Sequence, residues 1–348
     1  MNDAAAFVSS QIGMLPLADA DRWNLVLHYL KPIAHLHSDR SVAEIMVNRY
    51  DHVLVERSGV IEDCATITFG SEANLQALIK QIGNVLDQPV GSEFPVLHAR
   101  FPDGTRLCCT MPSVTPDGAT LTIRCKRESV LGLDEMVASG ALNNEMAKVI
   151  KDHVVRASSV VVAGGTSSGK TTILRAAAKH IPPRERVITV EDTKELLLET
   201  YIPHVISMEA PRRRSGEGDV ISMSSLIETS LRQRPDRVIV GEIRNAQAAA
   251  SWLEVANTGH DGLMTTIHAN NPGDALRRLA ELVSRSGVEY SHAFREVGRT
   301  VGLLIQAKRH HVWGRRISHL ATVDSGEIRM LWEFDFDAGI HVEHGCLS

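Results

Sequence analysis

The run Gly164-Gly165-Thr166-Ser167-Ser168-Gly169-Lys170-Thr171 satisfies the spacing G-x-x-x-x-G-K-[ST], follows the apolar run Val160-Val161-Val162-Ala163, and opens the helix-forming segment from Thr172 to Lys179. Strand, glycine-rich loop and helix in that order restrict the fold more than any other feature of the chain. A glycine-rich backbone can wrap closely around a polyphosphate and turn successive N–H groups inward, and the helix behind it adds the positive end of its dipole. In that arrangement Lys170 reaches the β- and γ-phosphates of a nucleoside triphosphate, the Thr171 hydroxyl ligates Mg²⁺, and Thr172 is a spare hydroxyl. A glycine turn that binds nothing would require strand, loop, lysine, threonine and helix to coincide by chance.

At 348 residues the chain has room for two or three domains. Apolar residues at 43% and charged residues at 23% are those of an ordinary globular protein. A net charge of -5 argues against nucleic acid spread over the whole surface, although a local basic groove survives that average. Aromatic residues at 4% are too sparse for a stacking track along a single strand. No stretch approaches the roughly 18 apolar residues of a membrane helix. Met1-Asn2-Asp3-Ala4 is not a basic region leading into an apolar one, so a cytosolic protein is expected. The cysteines Cys64, Cys108, Cys109, Cys125 and Cys346 form no C-x-x-C pair, which suggests neither a disulfide framework nor a zinc ribbon.

Residues 1–18 carry little periodicity. Trp23, Val26, Leu27, Leu30 and Ile33 then repeat at helical spacing, ending near Pro32. Strand-like runs follow at 44–48, 52–56 and 66–69, a helix at 72–86, and strands at 96–101, 105–110 and 119–124 separated by Pro-Asp-Gly turns. The pattern predicts an α+β domain over 1–125 with an antiparallel sheet, a linker at 126–133, and a second domain over 134–348. In the second domain apolar strands at 159–163, 186–190, 237–240, 263–267 and 301–306 alternate with helical stretches, which describes a parallel α/β sheet. A closing hairpin is expected around Asp324-Ser325-Gly326.

Ligands of such sheets bind at the carboxyl ends of the strands, where three further motifs fall. Glu191, at the end of Val187-Ile188-Thr189-Val190, can orient or deprotonate a water for attack on the γ-phosphate; the competing reading is an acidic turn that caps a helix. Glu242, after Val238-Ile239-Val240-Gly241, stands where Mg²⁺ and its waters lie, as a Walker-B-like acid. Before that strand, Leu231-Arg232-Gln233-Arg234-Pro235-Asp236 offers Arg232 and Arg234 as cations, or as merely solvated charge. Met264-Thr265-Thr266-Ile267 ends on His268 and then Asn270, donors suited to sensing a γ-phosphate.

Taken together, Gly-Gly-Thr-Ser-Ser-Gly-Lys-Thr-Thr at 164–172, Glu191-Asp192-Thr193-Lys194-Glu195, Leu-Arg-Gln-Arg-Pro-Asp at 231–236, Gly-Glu-Ile-Arg at 241–244, Asn257-Thr258-Gly259-His260-Asp261-Gly262 and Thr265-Thr266-Ile267-His268-Ala269-Asn270 resemble the type II/type IV secretion traffic ATPases. Val42 to Asn48 and Leu121 to Arg124 also look like that family's N-terminal domain, so the resemblance spans nearly the whole chain. The chain looks closest to the type IV secretion and conjugation branch, with the Flp-pilus ATPases second. In place of the family's Gly and Glu-Ala after Gly-Glu-Ile-Arg it carries Asn245, Ala246, Gln247 and Ala248.

The resemblance implies an α/β fold, a RecA-like P-loop domain with a mostly parallel sheet preceded by a smaller α+β domain. It also implies a hexameric ring that binds ATP and Mg²⁺ where the domains meet and docks peripherally, through partner proteins, on the cytoplasmic side of an inner-membrane secretion or pilus machine. By that likeness Lys170, Thr171, Glu191, Glu242 and His268 take the roles given above, and Arg100, Arg106 and Arg124 are candidate arginine fingers. The basic run Pro211 to Asp219, with Arg212, Arg213 and Arg214, would repeat around a pore, where it could touch a partner or DNA, or simply be solvated. A DNA-translocating RecA-like ATPase and a non-hydrolysing scaffold remain alternatives. A GTP switch would need an Asn-Lys-x-Asp motif that the chain lacks.

Overall fold

The computed structural model describes residues 20–39, 41–57, 60–101, 104–125, 131–210 and 221–345. The first eighteen residues, positions 126–130 of the expected linker, and the arginine-rich run at 211–219 lie outside the described residues. The chain divides into two units, Met1–Ser129 and Val130–Ser348, each with its own sheet and core.

In the first unit, helices α1 (Ala20–Leu30) and α2 (Ala34–Ser38) flank a 3-10 turn at Lys31–Ile33. Strands β1 (Val42–Arg49), β2 (His52–Arg57) and β3 (Val60–Asp63), helix α3 (Glu72–Val85), and strands β4 (Val96–Arg100), β5 (Arg106–Thr110) and β6 (Thr120–Arg124) follow. The six strands form an antiparallel sheet in the order β3-β2-β1-β6-β5-β4. Helical spacing puts Trp23, Val26, Leu27 and Leu30 on one face of α1, where they are buried in the same core as Leu75, Leu78, Ile79 and Ile82 of α3. The Ser71 hydroxyl caps α3 by accepting the Asn74 N–H at 3.3 Å. Leu107 and Cys109 of β5 and Leu121 and Ile123 of β6 point into the core, so the residues between them stand on the opposite face.

One expectation is corrected here. The third strand is Val60–Asp63, not 66–69. Phe69 is buried in the core and its N–H donates to the Tyr50 carbonyl at 2.7 Å, which makes its segment a plug between elements. The strand itself is an exposed edge with no inside-outside alternation to betray it.

The second unit carries α4 (Leu133–Ala138), α5 (Asn144–Val155), β7 (Ser159–Gly164), α6 (Lys170–Ala178), β8 (Val187–Glu191), β9 (Val205–Glu209), α7 (Met223–Leu231), β10 (Arg237–Val240), α8 (Ala246–Asn257), β11 (Met264–Ile267), α9 (Pro272–Ser284), α10 (Tyr290–Thr300), β12 (Val301–His310), β13 (Gly314–Asp324), β14 (Glu327–Asp335) and β15 (Ile340–Glu343). The strand order is β15-β14-β13-β12-β7-β11-β10-β8-β9. Strands β12, β7, β11, β10, β8 and β9 run parallel, and β13 to β15 add an antiparallel margin. The mostly parallel sheet and the closing hairpin are as expected; β9 and β15 extend the two edges beyond it.

Every residue of β7, β8, β10 and β11 is buried, as in a parallel sheet covered on both faces. Val161 packs in one core with Trp252, Leu276 and Val297, while Val160 and Val162 pack in the other with Ile150 and Leu174. The strands therefore offer their chemistry only at their ends. Among the described residues no helix is long and apolar enough to cross a membrane.

Candidate nucleotide-binding site

The glycine-rich loop leaves the carboxyl end of β7 at Gly164, pressed against β12. A Cβ at Gly164 would lie 2.4 Å from the Ala307 carbonyl oxygen and 2.5 Å from Ser168 Oγ, so no side chain fits there. Ser167 takes a left-handed φ of 57°, and Gly169, at φ 99°, turns the chain into α6. The buried Ser168 hydroxyl donates to the Gly165 carbonyl at 2.9 Å, and Arg315 Nε of β13 donates to the Ser167 carbonyl at 3.0 Å. Gly165 and Thr166 are exposed at the tip, and Thr171 and Thr172 are half-buried in the first turn of α6.

Lys170, 8% exposed, donates to the Gly164 carbonyl at 3.1 Å and to the Gly165 carbonyl at 2.9 Å. Burial holds its pKa below the ordinary lysine value; the Glu242 carboxylate opposes that shift and Arg244 adds to it. His268, just past β11, places Nδ1 3.4 Å from Lys170 Nζ and Nε2 2.8 Å from Glu242 Oε1. Burial, then the Lys170 charge, lowers the His268 pKa, so the ring is neutral at pH 7. A proton on Nε2 suits both neighbours, because Nδ1 can then accept from the ammonium. The histidine–glutamate contact lacks the angle of a directed hydrogen bond, which leaves Glu242 Oε1 without one among the described residues. Glu242 Oε2 accepts from Arg244 at 2.5 and 2.8 Å, and Arg244 also reaches Asp192 Oδ2 at 3.1 Å, tying the ends of β8 and β10 together.

Glu191 closes β8 and is 3% exposed. Its Oε1 accepts the N–H groups of Glu195 at 2.9 Å and Leu196 at 3.1 Å, while Oε2 is buried without a partner among the described residues. Burial outweighs those two hydrogen bonds and pushes its pKa up to about 7.

Lys170, Glu191, Glu242 and His268 thus stand at the carboxyl ends of the neighbouring strands β7, β8, β10 and β11. Arg232 and Arg234 do not join them. Both are exposed in the connection before β10, at the amino edge of the same parallel sheet, and Arg234 lies 3.7 Å from Asp236. In the N-terminal unit the other three arginines are cross-strand neighbours: Arg100 pairs in register with Arg106, and Arg106 with Arg124. They occupy the sheet face opposite the core.

The motifs overlooked Arg277 and Arg278, which line an open cleft of about 410 Å³ with Gly164, Gly165, His268 and Asn270. The available signal was the spacing of Asp274, Arg277, Arg278 and Glu281 on a helix that begins directly after the His268 motif. For Mg²⁺, no group of three or more His, Cys, Asp or Glu side chains forms a cage among the described residues. An ion carried on phosphates needs only one or two protein oxygens, which the Thr171 hydroxyl and Glu242 Oε1 can supply.

Residues 27–315 match the family described as type II/IV secretion system protein. The chain belongs to that family. Among its relatives in the family, VirB11 of Rhizobium radiobacter is 31% identical over 284 residues, covering 74% of this chain and 81% of that protein. The conjugal transfer protein TrbB of Rhizobium radiobacter is 29% identical over 306 residues, covering 83% and 90%. These relatives bear out the type IV secretion and conjugation branch. The fold is that of the Legionella pneumophila ATPase DotB, with a TM-score of 0.63 at 20% identity over 84% of this chain and 80% of that one. The expected α/β fold, a mostly parallel sheet preceded by a smaller sheet domain, holds.

Proposed function

We propose that this chain is the ATP-hydrolysing motor of a type IV secretion or conjugation machine. It works as a ring of six subunits held by partner proteins at the cytoplasmic face of the inner membrane. The observation that carries the reading is the gathering of Lys170, Glu191, Glu242 and His268 at four adjacent strand ends beside the glycine-rich loop. Phosphoryl transfer asks a protein mainly for positioning and for charge stabilisation, and these are the groups it requires.

The incoming phosphates exchange for the two loop carbonyls that Lys170 now holds. Glu191 takes the proton of the attacking water. Its pKa of about 7 matches the working pH, its Oε1 is locked by two backbone N–H groups, and Oε2 is the accepting atom. Neutral His268 sits between Lys170 and Glu242 and reports the terminal phosphate through the ammonium it contacts. Mg²⁺, held by Thr171 and Glu242, would neutralise charge on the β- and γ-phosphates. The row Arg100, Arg106 and Arg124 gathers three cations on neighbouring strands, with Glu44 in register beside Arg124, and such a cluster suits an anionic ligand. We take the nucleotide's phosphates as that anion. Arg232 and Arg234, remote from their own chain's loop, would serve only a neighbouring subunit.

Phosphate release by the purified protein tests the reading. Lys170→Ala should lower it by about 10²- to 10³-fold with an unchanged circular dichroism spectrum. Nucleotide binding without any phosphate release from the wild type would leave a non-hydrolysing scaffold instead.

A further inference from the structure

Asp274, Arg277, Arg278 and Glu281 follow the spacing of one helical face, and all four line the cleft that has Gly164, Gly165 and His268 on its other walls. The two arginines differ in their partners. Arg277 is held by Asp274 at 2.5 Å, whereas Arg278 makes no hydrogen bond or ion pair among the described residues. Helical side chains lean toward the helix N-terminus, and α9 starts just after β11, at the carboxyl edge of the sheet. Arg278 therefore stands on the helix wall that faces the glycine-rich loop across the cleft.

Three cations, Lys170, Arg244 and Arg278, act electrostatically on His268 against one carboxylate, Glu242. Asp192 offsets part of the Arg244 charge by direct contact. With Arg277 and Asp274 paired and Glu281 on the same helical face the cleft is close to charge balance, and Arg278 is the cation there that no described side chain holds by a hydrogen bond or ion pair.

We propose that Arg278 recognises the terminal phosphate of the nucleotide bound by its own chain and so sets the preference for a triphosphate over a diphosphate. The proposal rests on the nucleotide reading above and adds a recognition element within the same unit, distinct from the arginine row of the N-terminal sheet. A planar guanidinium can donate two parallel hydrogen bonds to a phosphate, which a diphosphate lacking the terminal group would not receive.

The test is titration of wild type, Arg278→Gln and Arg278→Lys with ADP and with a non-hydrolysable ATP analogue bridged by an imido group. Arg278→Gln should weaken the analogue by about tenfold or more while ADP affinity stays within about twofold, because one charge-assisted contact is lost only from the triphosphate. Arg278→Lys should fall between the two, since it keeps the charge but loses the paired geometry. Equal weakening of both nucleotides, or no change in either, would overturn the assignment. Failure of the wild type to bind either nucleotide is read from its own titration and would sink the nucleotide reading along with it.

Discussion

The two sheets of this protein present their chemistry in opposite ways. The N-terminal sheet alternates, with Leu107, Cys109, Leu121 and Ile123 inside, so its outer face is free to carry Arg100, Arg106 and Arg124 side by side across three strands. The C-terminal sheet buries both faces of β7, β8, β10 and β11, so Lys170, Glu191, Glu242 and His268 appear only where strands end. The first arrangement sets three arginines, with Glu44 in register beside Arg124, on a face whose side chains contribute little to the core. The second makes a narrow constellation whose members are held by packing and by backbone hydrogen bonds. Substitutions should therefore separate function from stability differently in the two regions.

The largest effect on turnover is expected in the arginine row. Arg124 is exposed, so Arg124→Gln should change folding stability by no more than about 0.5 kcal/mol. If the row acts on transferring phosphate, turnover should fall by roughly 10³-fold or more. Paired denaturation and phosphate-release measurements check both halves, and a loss of stability matching the loss of activity would erase the contrast.

Glu191→Gln should reduce turnover by about 10²- to 10⁴-fold and, unlike the arginine change, should stabilise the fold. A carboxyl whose pKa rises from 4.5 to about 7 on folding contributes stability below pH 4.5 that is lost as pH climbs through 7. The loss amounts to about 3 kcal/mol at pH 8. Glutamine keeps the acceptor for the Glu195 and Leu196 N–H groups without the buried charge, so the variant should be more stable at pH 8 and near-equal at pH 4. The wild-type rate should also fall on the acid side of about pH 7, and the variant should lose that limb. A variant no more stable than wild type at pH 8 would show that the carboxylate is solvated.

The smallest effect on the chemistry is expected from the core. Trp252, fully buried under the C-terminal sheet, should cost about 3–5 kcal/mol of stability as Trp252→Ala, with activity per folded molecule little changed. A fall in activity well beyond the loss of folded protein would tie that core to the strand ends more tightly than packing implies.

The strand-end site was legible because parallel buried strands read as continuous apolar runs and the functional residue follows each run directly. Glu191, Glu242 and His268 could each be placed from the sequence for that reason. The arginine row was legible only as three separate candidates, since its alignment depends on the register of β4, β5 and β6, which turn geometry sets. Arg278 lies within a helix, where solvated charge is the commoner explanation, and only the fold turns that face toward the loop. The sixth parallel strand, Val205–Glu209, escaped notice because it is a half-buried edge without a continuous apolar run. The segment at 66–69 misled because its alternation serves one buried aromatic, Phe69, rather than a strand.

The most direct test of the central claim, that strand-end site and arginine row serve one nucleotide across subunits, is phosphate release from mixtures of Lys170→Ala and Arg124→Ala proteins. The account predicts activity above the sum of the two inactive proteins, peaking at intermediate ratios, because some pairs join an intact loop to an intact arginine. It also predicts a wild-type rate per subunit that rises with protein concentration. Strictly additive inactivity at every ratio, with a concentration-independent wild-type rate, would contradict it and describe a self-sufficient monomer.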